Sequence, residues 1–357
     1  MTGQQHIVVI GAGYAGLSAA TRAGRRHRVT LIAPEERFLH RVRQHEAAAG
    51  RPEHRPTLDR VIRGRAITHL RARATELDLA GRKILLDSGE RIGYDTLVYA
   101  LGSRTAHQGV PGVAEHALTA ERAAEIRRRL AAAPEPGTLA VVGGGATGIE
   151  LAAELAEAHP AWRIRLVAAG QVGGWFSAKG RAHVVRVLAR LGVELHEHTE
   201  VTAVTPDGLT TAGGGTVPAD LVAWAASMEP HPLAAEAGLT VTPRGQAVVD
   251  DHLRSVSHPE VYVIGDAAAV TVPGTGTLRM GCATAQPMGQ YLGGQLAGKA
   301  ARPFAYRYAV QCLSLGRRDG LVQLIHRDDS MRPSAVTGTL ARLAKAVIVN
   351  GVVLALR

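Results

Sequence analysis

The sequence has little cysteine, little lysine and no long apolar run, and each shortage closes off a class of protein. Cys282 and Cys312 are the only cysteines in 357 residues. No CxxC or CxxxxC pair exists, so neither a disulfide scaffold nor a cysteine-based metal site is expected, and thiols this sparse fit a reducing cytosol. Of the 41 basic residues only Lys83, Lys179, Lys299 and Lys345 are lysine; the rest are arginines scattered along the chain, often beside alanine. That dispersal does not build a nucleic-acid groove. The formal charge of +10 instead leaves cofactor phosphates or anionic headgroups as its partners. The longest apolar run, Ala346 to Leu356, is broken by Asn350 and Gly351 and is too short to span a bilayer as a helix of roughly 20 residues. MTGQQHIVVIGAG enters its first apolar run directly, without a basic or cleavable signal segment.

What the chain does have is glycine at meaningful spacing. In HIVVIGAGYAGLSAA (6–20), Ile7 to Ile10 are consecutive β-branched residues, the pattern of a strand buried on both faces. Gly11, Gly13 and Gly16 follow as GxGxxG: the first for the tight turn, the second for close approach of backbone to a pyrophosphate, the third for packing the helix on the strand. The helix then offers its free N–H groups to the diphosphate. Leu139 to Val142 with Gly143, Gly145 and Gly148 repeat the unit, so one chain binds two nucleotides. Its hydrophobic fraction of 46% and charged fraction of 20% are those of a soluble globular protein, and its length allows two or three domains.

Together with VYVIGDAAAV (261–270) and YDTLVYALGS (94–103), these motifs resemble the pyridine nucleotide-disulfide oxidoreductase-like flavoproteins, which have two dinucleotide-binding domains. The nearest likeness is to type II NADH dehydrogenase-like members without the redox cysteine pair. The resemblance implies an α/β fold with two Rossmann-like dinucleotide-binding domains, for FAD and for NAD(P), and a small C-terminal α+β region. On that pattern residues 1–112 and 227–301 form the FAD-binding domain, 113–226 the NAD(P)-binding domain and 302–357 the C-terminal region. It further implies that hydride passes from nicotinamide to flavin and electrons from flavin to an acceptor. A quinone-like acceptor is favoured. Two rivals stay open: a tailoring oxidase of secondary metabolism that acts on an organic substrate and returns electrons to oxygen, and a redox-sensing interaction protein resembling apoptosis-inducing factor.

Individual residues follow from the same reading. The strand 29–33 ends in Ala33 where a Rossmann fold usually carries a ribose-binding acid, so Glu35 either reaches the adenosine ribose from further along or is a solvated turn carboxylate. The segment Arg37 to Glu46 stands where the disulfide reductases carry their cysteine pair, which leaves direct transfer from flavin to acceptor. Its Arg41, Arg43 and His45 are placed to approach FAD phosphates or the isoalloxazine edge, or form a solvated basic face. Ile67 to Leu86 is expected as a small β-meander, Val110 to Gly112 as a crossing between domains, and 121–133 as a helix stopped by Pro134 and Pro136. Ala168 and Ala169 occupy the strand end that would choose between NADH and NADPH. Neither an acid nor a nearby base follows, so the donor stays open. By resemblance Glu150 orients the nicotinamide carboxamide, although a helix-terminal acid is the plainer reading. Asp266 is expected to bond the ribitol of FAD, Trp224 to be core, and Gln286 and Gln290 to border the acceptor pocket. The tail is expected as a small sheet and a packed helix. A homodimer and a peripheral contact with the inner face of an anionic membrane are left open.

Overall fold

Ile7 to Ile10 are at most 1% exposed, which is what four β-branched residues achieve in the middle of a parallel sheet covered on both faces. The computed structural model describes residues 4–52, 55–133 and 135–356; Pro134, the expected helix stop, lies outside the described residues. His6–Ile10 is the central strand of five, flanked by Arg28–Ile32 and Ile67–Leu70 on one side and by Thr96–Tyr99 and Val261–Val263 on the other. All the pairings are parallel, with Ile7 opposite both Val29 and Thr96. A second five-stranded parallel sheet repeats the design, with Thr138–Val142 between Arg163–Val167 and Leu221–Trp224, and Glu194–His196 and Ala117–Thr119 at its edges. Its Trp224 is buried core and donates its indole N–H to the Ala106 carbonyl at 2.9 Å.

Two expectations shift. Ile67–Leu70 does not join the meander, because it pairs parallel with Arg28–Ile32; the antiparallel sheet is Ala74–Asp78, Lys83–Leu86 and Arg91–Gly93. The crossing between the two sheets is an antiparallel pair, Ser103–Thr105 with Met228–Pro230. It lies before Val110, because two backbone segments passing together satisfy each other's hydrogen bonds.

The helix Cys282–Leu296 packs on Tyr14–Ala23 backbone to backbone. A Cβ on Gly289 would collide with the Ala15 carbonyl and one on Gly293 would lie 2.8 Å from that of Ala19. Those two glycines therefore fix how closely the helix approaches the first nucleotide turn. Val310–Ser314, Gly320–Ile325 and Met331–Thr337 form a three-stranded antiparallel sheet, on which the helix Gly338–Leu354 packs. This closing helix buries Ala341, Lys345 and Val349. Its other face exposes Leu340 (71%), Leu343 (47%), Val347 (72%), Ile348 (45%) and Leu354 (63%). Among the described residues no helix is long and apolar enough to cross a membrane.

Candidate functional site

The two glycine turns are built alike. Gly13 caps the helix Tyr14–Ala23 at φ −76°, ψ −169°, and Gly145 caps Ala146–Ala158 at φ −77°, ψ 179°. Neither helix has a side-chain cap or an acidic residue in its first turn, so the first N–H groups stay available to an anion. Gly11 (φ +100°) and Gly143 (φ +125°) make the turns. A Cβ on Gly16 would strike the Gly11 carbonyl and one on Gly148 that of Gly143, whereas one on Gly13 or Gly145 would meet nothing within 4 Å. Open space above the middle glycine and closed packing at the third is the shape a dinucleotide diphosphate requires. Both folds thus fit their expected ligands, FAD on the first and NADH or NADPH on the second.

Asp266 follows the strand Val261–Val263 and sits at the carboxyl end of the first sheet, where open α/β folds bind ligands. Its Oδ2 accepts from Ser103 Oγ at 2.7 Å and its Oδ1 from the Gly281 N–H at 2.7 Å, which ties the crossing strand and the start of the helix Cys282–Leu296 to one carboxylate. An ionised carboxylate has about four acceptor positions, so capacity remains for a ribitol hydroxyl.

The 37–46 segment is not a solvated basic face. Arg41 bonds the Ser103 carbonyl and pairs with Glu121 at 2.8 Å, and Glu121 in turn accepts from the Thr105 hydroxyl at 2.7 Å. Arg43 donates to Asn350 Oδ1 at 2.8 Å and lies 3.5 Å from Glu46, so its guanidinium is engaged by the closing helix. His40 is buried, with its Nδ1 2.7 Å from the Tyr14 hydroxyl. His40 Nε2 and His45 Nε2 are buried without a partner among the described residues. Such an atom costs roughly 1–3 kcal/mol unless something answers it.

Glu150 lies in the helix that follows the second glycine turn, and the expectation that it orients a nicotinamide carboxamide meets a carboxylate already bound. Its Oε1 accepts from Lys345 Nζ of the closing helix and from the Ser314 N–H at 2.9 Å, and its Oε2 lies 3.6 Å from His45 Nδ1. The physical reason is burial: Glu150 is 9% and Lys345 8% exposed, and a charge so placed needs a partner. Burial alone would raise the Glu150 carboxyl, but the Lys345 ammonium, His45 and the hydrogen bonds outweigh it and hold it below its ordinary value. Burial lowers the His45 imidazole to about 4 despite the neighbouring Glu150, so at neutral pH His45 is uncharged and the 3.6 Å contact is not an ion pair.

Both thiols border this cluster. Burial pushes Cys282 up to about 11, with the Asp266 carboxylate adding to it, and burial does the same to Cys312; Lys345 and Glu150 act on both. Gln286 is buried and donates to the Val352 carbonyl of the closing helix at 2.8 Å, and Gln290, one turn along, is partly buried. Glu35 is exposed past the end of Arg28–Ile32. The structure therefore gathers Glu150, Gln286, Arg43 and Asp266 around the start of one helix and the inner face of another, and leaves Glu35 at the rim.

Lys345, Glu197 and Arg181 were not singled out by the sequence. Lys345 carried one signal, a single lysine four residues from Ala341 and four from Val349 in a mostly apolar run, hence on a buried helix face. The other two sit beyond the second sheet. The segment after Arg163–Val167 folds over the glycine turn, with the Gly173 N–H bonded to the Gly144 carbonyl at 3.2 Å. Glu197, just past Glu194–His196, accepts from the Val172 N–H at 2.7 Å and from Arg181 at 2.7 and 2.9 Å. A base absent from the local sequence is thus supplied by the next helix.

Comparison with known proteins agrees with this geometry. The pyridine nucleotide-disulphide oxidoreductase family matches residues 5–289. An NADH dehydrogenase-like protein of Mycobacterium tuberculosis is 31% identical over 318 residues, covering 80% of this chain and 78% of the relative. A type II NADH:quinone oxidoreductase of Staphylococcus haemolyticus is 27% identical over 387 residues, covering 97% and 94%. The NDH2 structure from Plasmodium falciparum in complex with NADH superposes with a TM-score of 0.82 at 15% identity over 97% of this chain and 94% of that one, a likeness of fold. Two diphosphate-binding glycine turns, each opening onto free helix N–H groups, and a family match across most of the chain lead to one conclusion: the chain belongs to the pyridine nucleotide-disulphide oxidoreductase family and is an FAD- and NAD(P)H-dependent oxidoreductase.

Proposed function

We propose that this protein is an NAD(P)H dehydrogenase that passes electrons to a quinone-like acceptor. Residues 1–112 and 227–301 hold FAD, 113–226 the nicotinamide dinucleotide, and 302–357 close the acceptor side. The observation that carries the reading is the buried Lys345–Glu150 pair, with Ser314 and His45 around it and Cys282, which Asp266 also reaches, in its electrostatic reach. FAD, when bound, would supply the redox chemistry, through which the hydride of NAD(P)H would reach the acceptor as two electrons and one proton. A quinone that takes up two electrons also needs two protons. Lys345 Nζ is a buried donor paired with Glu150, so a proton is held where the acceptor's carbonyl oxygen becomes basic. Gln286 and Gln290 share one face of the adjoining helix, and a carboxamide there donates to a developing oxyanion. Asp266, Ser103 and the Gly281 N–H orient the flavin side. The relatives named for NADH dehydrogenation and for quinone support the same choice of acceptor.

The test is a stopped-flow separation of the half-reactions of flavin-loaded protein. Glu150→Gln should leave reduction by NADH within about twofold and slow reoxidation by a water-soluble quinone by roughly 100-fold or more, the low end for loss of proton transfer. Replacing Gln286 and Gln290 by alanine should act on the same half-reaction. Reoxidation at the wild-type rate in both variants would remove the acceptor assignment. Oxygen uptake driven by an organic substrate without NADH would favour the tailoring oxidase, and slow reduction with a change of assembly the redox sensor.

The closing helix supports a membrane-side location. Lys345 faces inward while Leu340, Leu343, Val347, Ile348 and Leu354 face out, so a lipid-soluble quinone and the buried pair meet at one helix. Co-sedimentation with anionic vesicles should be lost in a Leu340→Ser, Val347→Ser variant; equal binding by both proteins would refute the location.

A further inference from the structure

The sequence offers neither the acid that would choose NADH nor the base that would choose NADPH at the end of the strand Arg163–Val167, where Ala168 and Ala169 stand. The fold brings both to that place from elsewhere. The loop 168–173 closes over the second glycine turn: a Cβ on Gly144 would lie 2.8 Å from that of Ala168, and the Gly173 N–H bonds the Gly144 carbonyl. The segment that follows Glu194–His196 runs alongside, with the His198 N–H on the Gly170 carbonyl at 3.3 Å and the Thr199 N–H on that of Ala168 at 2.9 Å. Between these two strips the Glu197 carboxylate accepts from the Val172 N–H and takes Arg181 on both oxygens.

A backbone N–H on the loop after the second Rossmann strand, together with an arginine, is the donor set that holds the 2′-phosphate of an NADP dinucleotide. Here the Val172 N–H and Arg181 Nη2 are already taken by an anion of the chain itself, and Arg181 Nε is buried without a partner among the described residues. We infer that Glu197 occupies the place of the 2′-phosphate, so that the second nucleotide fold selects NADH and rejects NADPH. The inference rests on the assignment of that fold to the nicotinamide dinucleotide.

Three features make Glu197 fit this role better than that of a surface ion pair. Both partners are only partly exposed, with side chains 25% and 28% accessible, so the pair is at once sheltered and reachable. Burial would raise its carboxyl, but the Arg181 hydrogen bonds and the Val172 N–H outweigh it, so the group is anionic at neutral pH. Its remaining lone pairs suit a ribose 2′-hydroxyl, a donor, whereas a 2′-phosphate would bring a second anion against the first with Arg181 already neutralised.

Binding of NAD+, NADP+, 5′-AMP and 2′,5′-ADP to the flavin-loaded protein, measured by titration calorimetry, tests this without turnover. The wild type should prefer NAD+ to NADP+, and 5′-AMP to 2′,5′-ADP, by about 10-fold or more. Glu197→Ala frees Arg181 and the Val172 N–H, and should bring each ratio to unity or invert it. Glu197→Gln, which keeps the loop hydrogen bond without the charge, should narrow it in a protein whose melting confirms that the fold persists. Adding Arg181→Ala to Glu197→Ala should remove the gained 2′,5′-ADP affinity. A wild type that favours NADP+, or Glu197 variants that keep the NAD+ preference, would overturn the inference. A wild type that binds none of the four would instead overturn the nucleotide assignment on which it rests.

Discussion

Replacing Lys345 by methionine isolates the energetics of the buried pair. Methionine fills much of the aliphatic stem's volume, so the main loss is the ammonium, which leaves Glu150 at 9% exposure with only the Ser314 N–H and a neutral His45 beside it. The attraction lost is of the order of 4 kcal/mol at the dielectric suited to protein sites, but the larger consequence is the stranded carboxylate. Breaking one half of a buried pair typically costs about 3–5 kcal/mol. The pH dependence identifies the cause. In the wild type the Glu150 carboxyl is held below its ordinary value of 4.5, so it contributes stability that is present above 4.5 and lost as pH falls through the lowered value. In Lys345→Met only burial and weaker partners act, so the carboxyl is raised: the unfolded chain then ionises more readily than the folded one, and the deficit grows as pH rises above 4.5. Urea unfolding of the two proteins near pH 4.5 and about three pH units higher should show a small gap and then the full one. The double variant Lys345→Met, Glu150→Gln should recover most of the loss, since no charge is stranded. A gap below about 1 kcal/mol, or one that does not shrink on acidification, refutes the account.

Other outcomes follow from the glycine turns, from Asp266 and from the thiols. Gly13→Ala should melt like the wild type without flavin yet retain little of it, because the new Cβ enters the open cradle; Gly16→Ala should lose at least about 1–3 kcal/mol from collision with the Gly11 carbonyl, read from melting of the flavin-free protein. Asp266→Ala strips the Gly281 N–H and the Ser103 hydroxyl of their acceptor and should lower the flavin content of purified protein, measured by absorbance after acid release; unchanged content would remove Asp266 from the site. With both thiols raised to about 11, roughly one in ten thousand is ionised at neutral pH. Iodoacetamide should therefore label the folded chain slowly, at a rate that climbs with pH, and rapid labelling at neutral pH would contradict the burial argument.

The parts of this architecture written in short stretches were legible in the sequence. Consecutive β-branched residues followed by GxGxxG name a strand, a turn and a helix within fifteen residues, and both copies are found where those patterns place them. Asp266 at a strand's end was legible for the same reason. What pairs across long separations was not. The sequence shows Glu150 only in its own helix, while its counter-ion lies 195 residues away. Arg43 looked ready for a phosphate because nothing local revealed Asn350, 307 residues on. The sequence places Ile67–Leu70 in the meander, since alternation identifies a strand but not its neighbour, and its actual partner is set by the parallel register with Val29. Ala168 and Ala169 left the donor open because the groups beside them come from another strand and another helix.

The closing helix also fixes an order of events as the protein is made. Gly338–Leu354 clasps Gln286, Glu150 and Arg43, each of which is synthesised before it. Until that helix arrives, Glu150 has the Ser314 N–H and a neutral His45 beside it but no ammonium. The two nucleotide folds can each acquire a sheet as they emerge, but their mutual docking waits for contacts of high sequence separation, the slow and aggregation-exposed class. Docking of this helix is therefore a late step, which adds Lys345 and Asn350 to two nucleotide folds already linked by the Ser103–Thr105 and Met228–Pro230 pair.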